Sequence, residues 1–523
     1  MARIVAVSLI AIAMLAQAQE PAAITLNVVA TDSKGNHIRS LTGDDFEILS
    51  RGKTIEVSDV SERALTPRRI AVIFDVTSIS LAARRTMIDG LRDFLSKSLR
   101  PGDRVLLLTA GQALTPLSEW TADSAQIDAA LQRAGTESSA TMAGDRESAE
   151  RRIREMITDI QQARQTLYTF DTILETVRTY ATAVYRDTKQ SIGLLNTATN
   201  LFSSRSTRNV MIVVGAGLPL RAGADLFQYL DNVKSDAERG QLGGALRQGA
   251  GRSSPLTESS SFDLTPFLKA VAAEARDRGV AIYTIDSEMA EAASARVEAN
   301  RMSDRTASFA TIANRSAGYQ LLADESGGVA FLAQRPNEAL AQIRSDLDSY
   351  YSIVLHPTSP LAANDPVEVR SKSAPKIRTA RGGAPLTADA EVQSRVVAYH
   401  LMKPDANDLG ISVQAAPPVA DGDKRRVNLK VMIPIKNLRF VQEGNVVTGG
   451  FTVYITTGDA LGHTSSVNKQ TQQLRWPVEA LQAAGDRKVT FAVDVVLEAG
   501  RTQISVGVLD LRSETTGYDR VSV

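Results

Sequence analysis

Between Arg68 and about Leu332, short apolar runs alternate with stretches of helical periodicity, and this alternation constrains the fold more than any other feature of the chain. The runs "IAVIFD", "RVLLLTA", "NVMIVVGAG", "VAIYTID" and "GVAFLA" are bounded by Gly, Asp or Arg. Between them, apolar residues recur at helical spacing, as at Met87, Leu91, Phe94 and Leu95, and again at Leu264, Phe267, Leu268 and Val271. A strand that is apolar throughout has no face to offer water, so it needs helices above and below it. The pattern therefore predicts an α/β fold, a mostly parallel sheet with helices on both faces. Ligands of such sheets sit at the carboxyl ends of the strands. Asp75, Gly215, Ala216, Gly217 and Asp286 fall at those ends.

The flanks read differently. From Ile24 to Val60 the chain alternates strands with the turn signals Lys34-Gly35-Asn36 and Arg51-Gly52-Lys53, which is too little to bury a core alone. After the helical "ALAQIRSDLDS" come "YYSIVLHP" and extended segments at Pro366 to Arg370 and Lys376 to Thr379. These supply the missing strands, so Ile24 to Val60 and Tyr350 to Ala380 are expected to form one β-sandwich into which the α/β domain is inserted. From Asp145 to about Phe202 there is no proline and one glycine, Gly193, which predicts an insertion of two long antiparallel helices at about 143–203. The Gly/Ser/Arg-rich stretch Gly240 to Ser261 reads as a mobile surface loop, and Arg381 to Glu391 as a linker. Beyond it the alternation is all β, "RVNLKVMIPI" to "TQISVGVLDLRS", as in a C-terminal all-β sandwich of immunoglobulin or fibronectin type. The expected organisation is 1–18, a signal peptide; 19–66, a β module; 67–348, the α/β domain; 349–383, the β segment completing the module; and 384–523, the second sandwich.

The signal peptide rests on Arg3, the apolar run Ile4 to Leu15 and the small-residue site Ala16-Gln17-Ala18. The run is short for a bilayer span and no later run approaches that length, so a secreted or periplasmic location without a transmembrane segment is expected. There is no cysteine, which removes disulfides and thiolate chemistry. Lys+Arg and Asp+Glu balance at 59 each, so no basic surface invites nucleic acid.

No catalytic constellation is legible. The chain lacks a Gly-x-Ser-x-Gly elbow, a His-Glu-x-x-His pair, a phosphate loop and a dinucleotide fingerprint. His37, His356, His400 and His463 are scattered and adjoin no nucleophile, and the acid pairs Asp44/Asp45 and Asp324/Glu325 read as solvated charge at helix starts or loops. No catalytic residue and no cofactor are assigned. A binding or scaffold role is expected, with a protein or an envelope polysaccharide as partner. The alternatives are a structural envelope protein that oligomerises through the helical pair, and a hydrolase with an unrecognised carboxylate site.

The order of several stretches resembles the von Willebrand factor type A-related proteins of the acidobacterial kind: "LTGDDFEIL", "RRIAVIFDV", "PGDRVLLLTAG", "GLPLRAGADLF", "ADESGGVAFLA" and "IRSDLDSYYSIVLHP". The resemblance covers roughly residues 24–383 and implies a type A domain with a metal-ion-dependent adhesion site. That site uses an Asp-x-Ser-x-Ser loop after the first strand, a threonine from a later loop, and an aspartate at the end of the fourth strand. Carried onto this chain, Asp75 and Thr77 are the candidate metal ligands, with Thr141 as the later threonine. Ile79 stands where the second serine belongs and Ala216 where the carboxylate belongs, so the site reads as degenerate and compatible with weak Mg²⁺ binding at most.

Overall fold

The computed structural model describes residues 24–33, 35–63, 66–136, 142–161, 169–202, 207–239, 254–288, 305–332, 334–355, 367–379, 387–404, 406–459 and 464–523. The signal segment, Thr141, His356 and His463 lie outside them. The chain begins with β1 (Ile24–Thr31), β2 (Phe46–Ser50), β3 (Lys53–Ile55) and β4 (Val57–Glu62), of which only β2 and β3 pair directly with one another. It then enters the α/β domain.

That domain comprises β5 (Arg68–Asp75), α1 (Leu81–Ser98), β6 (Arg104–Ala110), β7 (Leu114–Pro116), α2 (Ser124–Thr136), α3 (Met142–Gln161), α4 (Phe170–Thr199), β8 (Arg208–Gly215), α5 (Ala224–Glu238), α6 (Pro255–Glu258), α7 (Thr265–Asp277), β9 (Val280–Asp286), α8 (Arg305–Ser326), β10 (Ala330–Phe331) and α9 (Pro336–Asp348). Its sheet has the order β10-β9-β8-β5-β6-β7, parallel except for the β6–β7 pair. Alternate residues of β5 feed two cores. Ala71 and Ile73 pack with α4, α7 and α8, while Ile70, Val72 and Phe74 pack with α1, α2 and α9. Every residue of β8 and β9 is buried, as continuous apolar strands require.

α3 and α4 do not stand apart as a pair. Ile153, Ile157 and Ile160 of α3 share one core with Ile173, Leu174 and Val177 of α4 and with Leu226, Phe227 and Leu230 of α5. The later half of α4, through Ile192, Leu195 and Ala198, covers the sheet. The expected loop at Gly240 to Ser261 is corrected in its second half, where Pro255–Glu258 is helical and Ser259–Phe262 forms a 3-10 turn. Pro255 and Ser259 are buried, and Glu258 grips Arg178 through two bonds of 2.6 and 2.7 Å. Composition averaged over the whole stretch hid a proline at the first helical position.

The chain returns as β11 (Tyr351–Leu355), β12 (Val367–Ser371) and β13 (Lys376–Thr379). β1 lies between β11 and β13, β4 pairs with β11, and β12 pairs with β2. The two small sheets share a core of Leu26, Val28, Phe46, Ile48, Tyr351 and Ile353. Arg378 on β13 clasps Asp346 of α9 through bonds of 2.5 and 2.6 Å, fastening this unit to the α/β domain.

From Thr387 the chain is helical, where a linker was expected. α10 (Ala388–Ala398) is capped by the Thr387 hydroxyl, which accepts from the Ala390 amide at 3.3 Å, and it carries Asp389 and Glu391 in its first turn. Val392 and Val396 share a core with Leu195 and Ala198 of α4 and with Tyr454 and Tyr518 from the strands that follow. Those strands are β14 (Ser412–Ala415), β15 (Val419–Asp421), β16 (Lys424–Pro434), β17 (Val441–Glu443), β18 (Val446–Asp459), β19 (Asn468–Pro477), β20 (Lys488–Leu497), β21 (Arg501–Asp510) and β22 (Thr516–Ser522). They form two sheets around one core, with β16 contributing Val427, Leu429, Val431 and Ile433, and β18 contributing Phe451, Val453 and Ile455. β18 is buried on both faces because Tyr454 turns the other way, toward α10.

Candidate functional site at the strand ends

The chain leaves β5 for β6 on one side and leaves β8 for β9 on the other, so the strand order reverses between β5 and β8. Strand ends separate at such a point and leave a crevice. Here it is a cavity of about 520 Å³ lined by Asp75, Ser78, Ser80, Arg146, Ala216 and Arg315, among others.

Local chemistry shapes the turn after β5. Asp75 is 8% exposed, and its Oδ1 accepts from the Thr77 hydroxyl at 2.7 Å and the Thr77 amide at 3.2 Å. An aspartate closing a turn onto the residue two positions on is a common local use of the side chain. Ser78 Oγ accepts from the Ala216 amide at 3.1 Å, which ties the ends of β5 and β8 together. Ser80 caps α1, accepting from the Ala83 amide at 3.2 Å, and its own amide donates to Glu288. Ile79 is fully buried in the core beneath α1, so its side chain is spent on packing.

The opposite wall comes from remote helices. Arg315 of α8 donates through Nε and Nη2 to the Ala216 carbonyl at 3.1 and 2.6 Å. Arg146 of α3 pairs with Asp187 at 3.0 Å, while its Nε is buried without a hydrogen-bond partner among the described residues. Tyr319 sits beneath, 1% exposed. Its hydroxyl would lie 2.2 Å from a Cβ at Gly215, and the Arg315 carbonyl 2.6 Å from one at Gly217, whose φ is +87°. Both glycines are therefore required by close approach. Asp286 ends β9 fully buried, with Oδ2 3.3 Å from the same hypothetical Cβ at Gly217.

Burial raises the Asp75 carboxyl above its ordinary range, against hydrogen bonds from Thr77 and Ser78 and the charge of Arg146. Burial also raises the Tyr319 phenol, reinforced by Asp75 and Asp286, so it stays a neutral donor. Glu150 is raised by burial and by Asp225, against Arg154 and Arg315.

Whether these groups suit a divalent cation can be read from their bonds. Mg²⁺ needs near-octahedral oxygen ligands. Asp75 Oδ1 is engaged by Thr77, Ser78 Oγ by an amide, and the Ala216 carbonyl by a guanidinium. The Ala216 backbone carbonyl thus faces a positive charge. No group of three His, Cys, Asp or Glu side chains suited to a metal occurs among the described residues. With Asp75 Oδ1, Ser78 Oγ and the Ala216 carbonyl engaged by protein donors, the arrangement is compatible with weak Mg²⁺ binding at most.

Of the residues singled out from sequence, Asp75 and Ala216 line the cavity; Thr77 lies against Asp75, and Ile79 does not reach it. Sequence reasoning missed Arg146, Glu150, Tyr180, Arg315 and Tyr319, which helical periodicity alone does not distinguish from surface or core positions. The "GAG" of residues 215–217 was the one local signal of close backbone approach.

No family model and no curated protein sequence matches the chain. Among solved structures it is similar to proximal thread matrix protein 1 from the mussel byssus, at 10% identity over 56% of this chain and 49% of that one, with a TM-score of 0.24. A second is an aerotolerance-related membrane protein from Bacteroides fragilis, at 10% identity over 54% and 98% of the two chains, with a TM-score of 0.25. A third is the N-terminal three-domain part of the type V pilus tip protein Mfa5 from Porphyromonas gingivalis, at 9% identity over 97% and 79%, also with a TM-score of 0.25. The match spans about half the length of the mussel protein. Superpositions this loose carry no argument, and the functional reading rests on the geometry above.

Proposed function

We propose that this is an exported, non-enzymatic binding or scaffold protein with a von Willebrand factor type A-related domain between two β-sandwich modules. It engages a protein or an envelope glycan at the strand-end face without a divalent cation. The observation that carries this reading is the cavity at the reversal of strand order, whose Ala216 carbonyl is held by Arg315. Leu81, at the mouth, is 49% exposed and offers an apolar contact beside the polar groups.

The alternative of oligomerisation through the helical pair loses its main support, because the apolar stripes of α3 and α4 are buried against each other and α5. No exposed large hydrophobic residue lies on the described parts of those helices. Among the described residues no helix is long and apolar enough to cross a membrane. N-terminal sequencing of the mature protein should begin at Gln19, and a retained Met1 excludes cleavage after Ala18.

The decisive experiment is an affinity pull-down of the mature protein from its own envelope fraction, with and without EDTA. A partner retained in EDTA supports metal-independent binding. A partner lost in EDTA and restored by Mg²⁺ refutes it.

A further inference from the structure

We propose that two copies of this chain associate edge to edge through β20, antiparallel about a two-fold axis at Phe491, so that the C-terminal sandwich is a homodimerisation surface. The inference goes beyond the strand-end binding reading and does not depend on it.

β20 reads "KVTFAVDVVL", ten residues with no proline, no glycine and two charges, Lys488 and Asp494. Among the described residues it pairs with β16 alone, in an unbroken register, whereas the β18–β21 pairing shifts near Gly458. A long, regular, apolar edge is what soluble proteins ordinarily guard with charge, proline or a bulge. β19, an edge of the other sheet, is guarded: "NKQTQQLRWP" carries Lys469, Arg475 and Pro477. The inward side of β20 is unfinished as well. Val489, Phe491, Val493 and Val495 pack on the sandwich core and are only partly buried, while Val427, Leu429, Val431 and Ile433 opposite them on β16 are fully buried. A cavity of about 370 Å³ opens beside Val493 and Val495 toward Asn468 and Gln470. One more strand on β20 would cover these side chains.

The charge pattern selects that strand. Residues directly opposite in an antiparallel pair share a face, so two copies of β20 keep their apolar residues inward only if the axis passes through a residue, not between two. With the axis at Phe491, Lys488 of each copy lies opposite Asp494 of the other, Val489 opposite Val493, and Thr490 opposite Ala492. Lys488 and Asp494 are both exposed, and Asn428 donates to Asp494 Oδ1 at 2.8 Å, which leaves Oδ2 for the ammonium. An axis at Thr490 would instead set Asp494 opposite Asp486, and one at Ala492 would set Lys488 opposite Val496. The contact uses the same patch on both copies and therefore closes at two.

The test is sedimentation of the full mature chain from micromolar to near-millimolar concentration, for the unmodified protein, Lys488→Asp, Asp494→Lys and the double variant. The unmodified chain should sediment as a dimer. Each single variant sets like charges opposite one another twice and should raise the dissociation constant roughly tenfold or more, and the double variant should restore it. A monomer throughout overturns the proposal, whatever other strand the edge takes up. So does a dimer that the single variants leave intact, since another surface then holds it, and so does a double variant that stays as weak as the singles.

Should a charge variant fail to fold, cross-linking decides. The chain has no cysteine, and opposite residues of an antiparallel pair lie within disulfide reach. Thr490→Cys together with Ala492→Cys should give a covalent dimer on mild oxidation, and either substitution alone should not. No cross-link in the double variant, or equal cross-linking in all three, overturns the register. These measurements use no partner and no residue of the strand-end face, so they fail or succeed independently of the pull-down.

Discussion

The two ends of the central sheet both bury charge, and they treat it in opposite ways. At the amino ends of the strands, Arg68 and Asp103 are each 1% exposed and lock together at 2.6 Å, with the Arg68 and Arg100 amides also donating to Asp103, both at 2.8 Å. Arg100 reaches on to Asp348 at 2.6 Å, and Arg208 lies 4.5 Å over the Tyr350 ring. At the carboxyl ends, Asp75, Glu150, Arg146 and Arg315 surround an open cavity instead. Buried charge alone therefore does not mark a site. What distinguishes the second end is room for something else, created by the reversal of strand order.

The comparison can be broken most forcefully at the closed end. Asp103→Ala strands Arg68 in the interior and should cost about 3–5 kcal/mol of stability. Denaturant unfolding measures this, and partner retention in the pull-down should be unchanged in protein that remains folded. If partner retention is lost as well, the two ends are coupled and the division is wrong.

A smaller effect is expected at the open end from Gly215→Ala, whose Cβ would meet the Tyr319 hydroxyl at 2.2 Å. Overpacking of this kind should cost about 1–3 kcal/mol. Adding Tyr319→Phe, which removes the obstructing oxygen, should recover a substantial part in a double-mutant cycle. Additive losses would mean that the hydroxyl is not what holds the glycine.

The smallest effect is one of pH. Burial, then Asp225, raises the Glu150 carboxyl above the ordinary 4.5. The native state then holds its proton to higher pH than the unfolded chain does, so the contribution is full below pH 4.5 and is lost as pH rises through the native value. Glu150→Gln lacks this loss. Its melting midpoint relative to the unmodified protein should therefore improve between pH 4 and pH 7, and a difference that is constant or moves the other way contradicts the placement of Glu150.

Much of the α/β domain was legible because buried parallel strands must be apolar at consecutive positions, and "IAVIFD" and "VAIYTID" admit few other readings. α10 was not read, although Thr387 followed by Asp389 and Glu391 is a helix-start signal. The glycines and proline just before it read as a linker and mask that signal. At the site, Asp75 was legible from its position at a strand end. The orientation of Ile79 was not, since a turn can aim one residue at the cavity and the next at the core, and residue spacing within the loop does not say which.

By itself, then, the sequence determined the alternation of strands and helices, the strand ends at which polar groups would gather, and the absence of a carboxylate at Ala216. The tertiary structure alone decided which remote groups surround that strand end. Arg315 lies 99 residues from Ala216 along the chain, and Arg146 is 41 residues from its partner Asp187. No local propensity links such pairs. They meet because burying the apolar faces of α3, α4 and α8 against the sheet and against α5 leaves those helices one way to lie, and their polar residues are carried to the cavity with them.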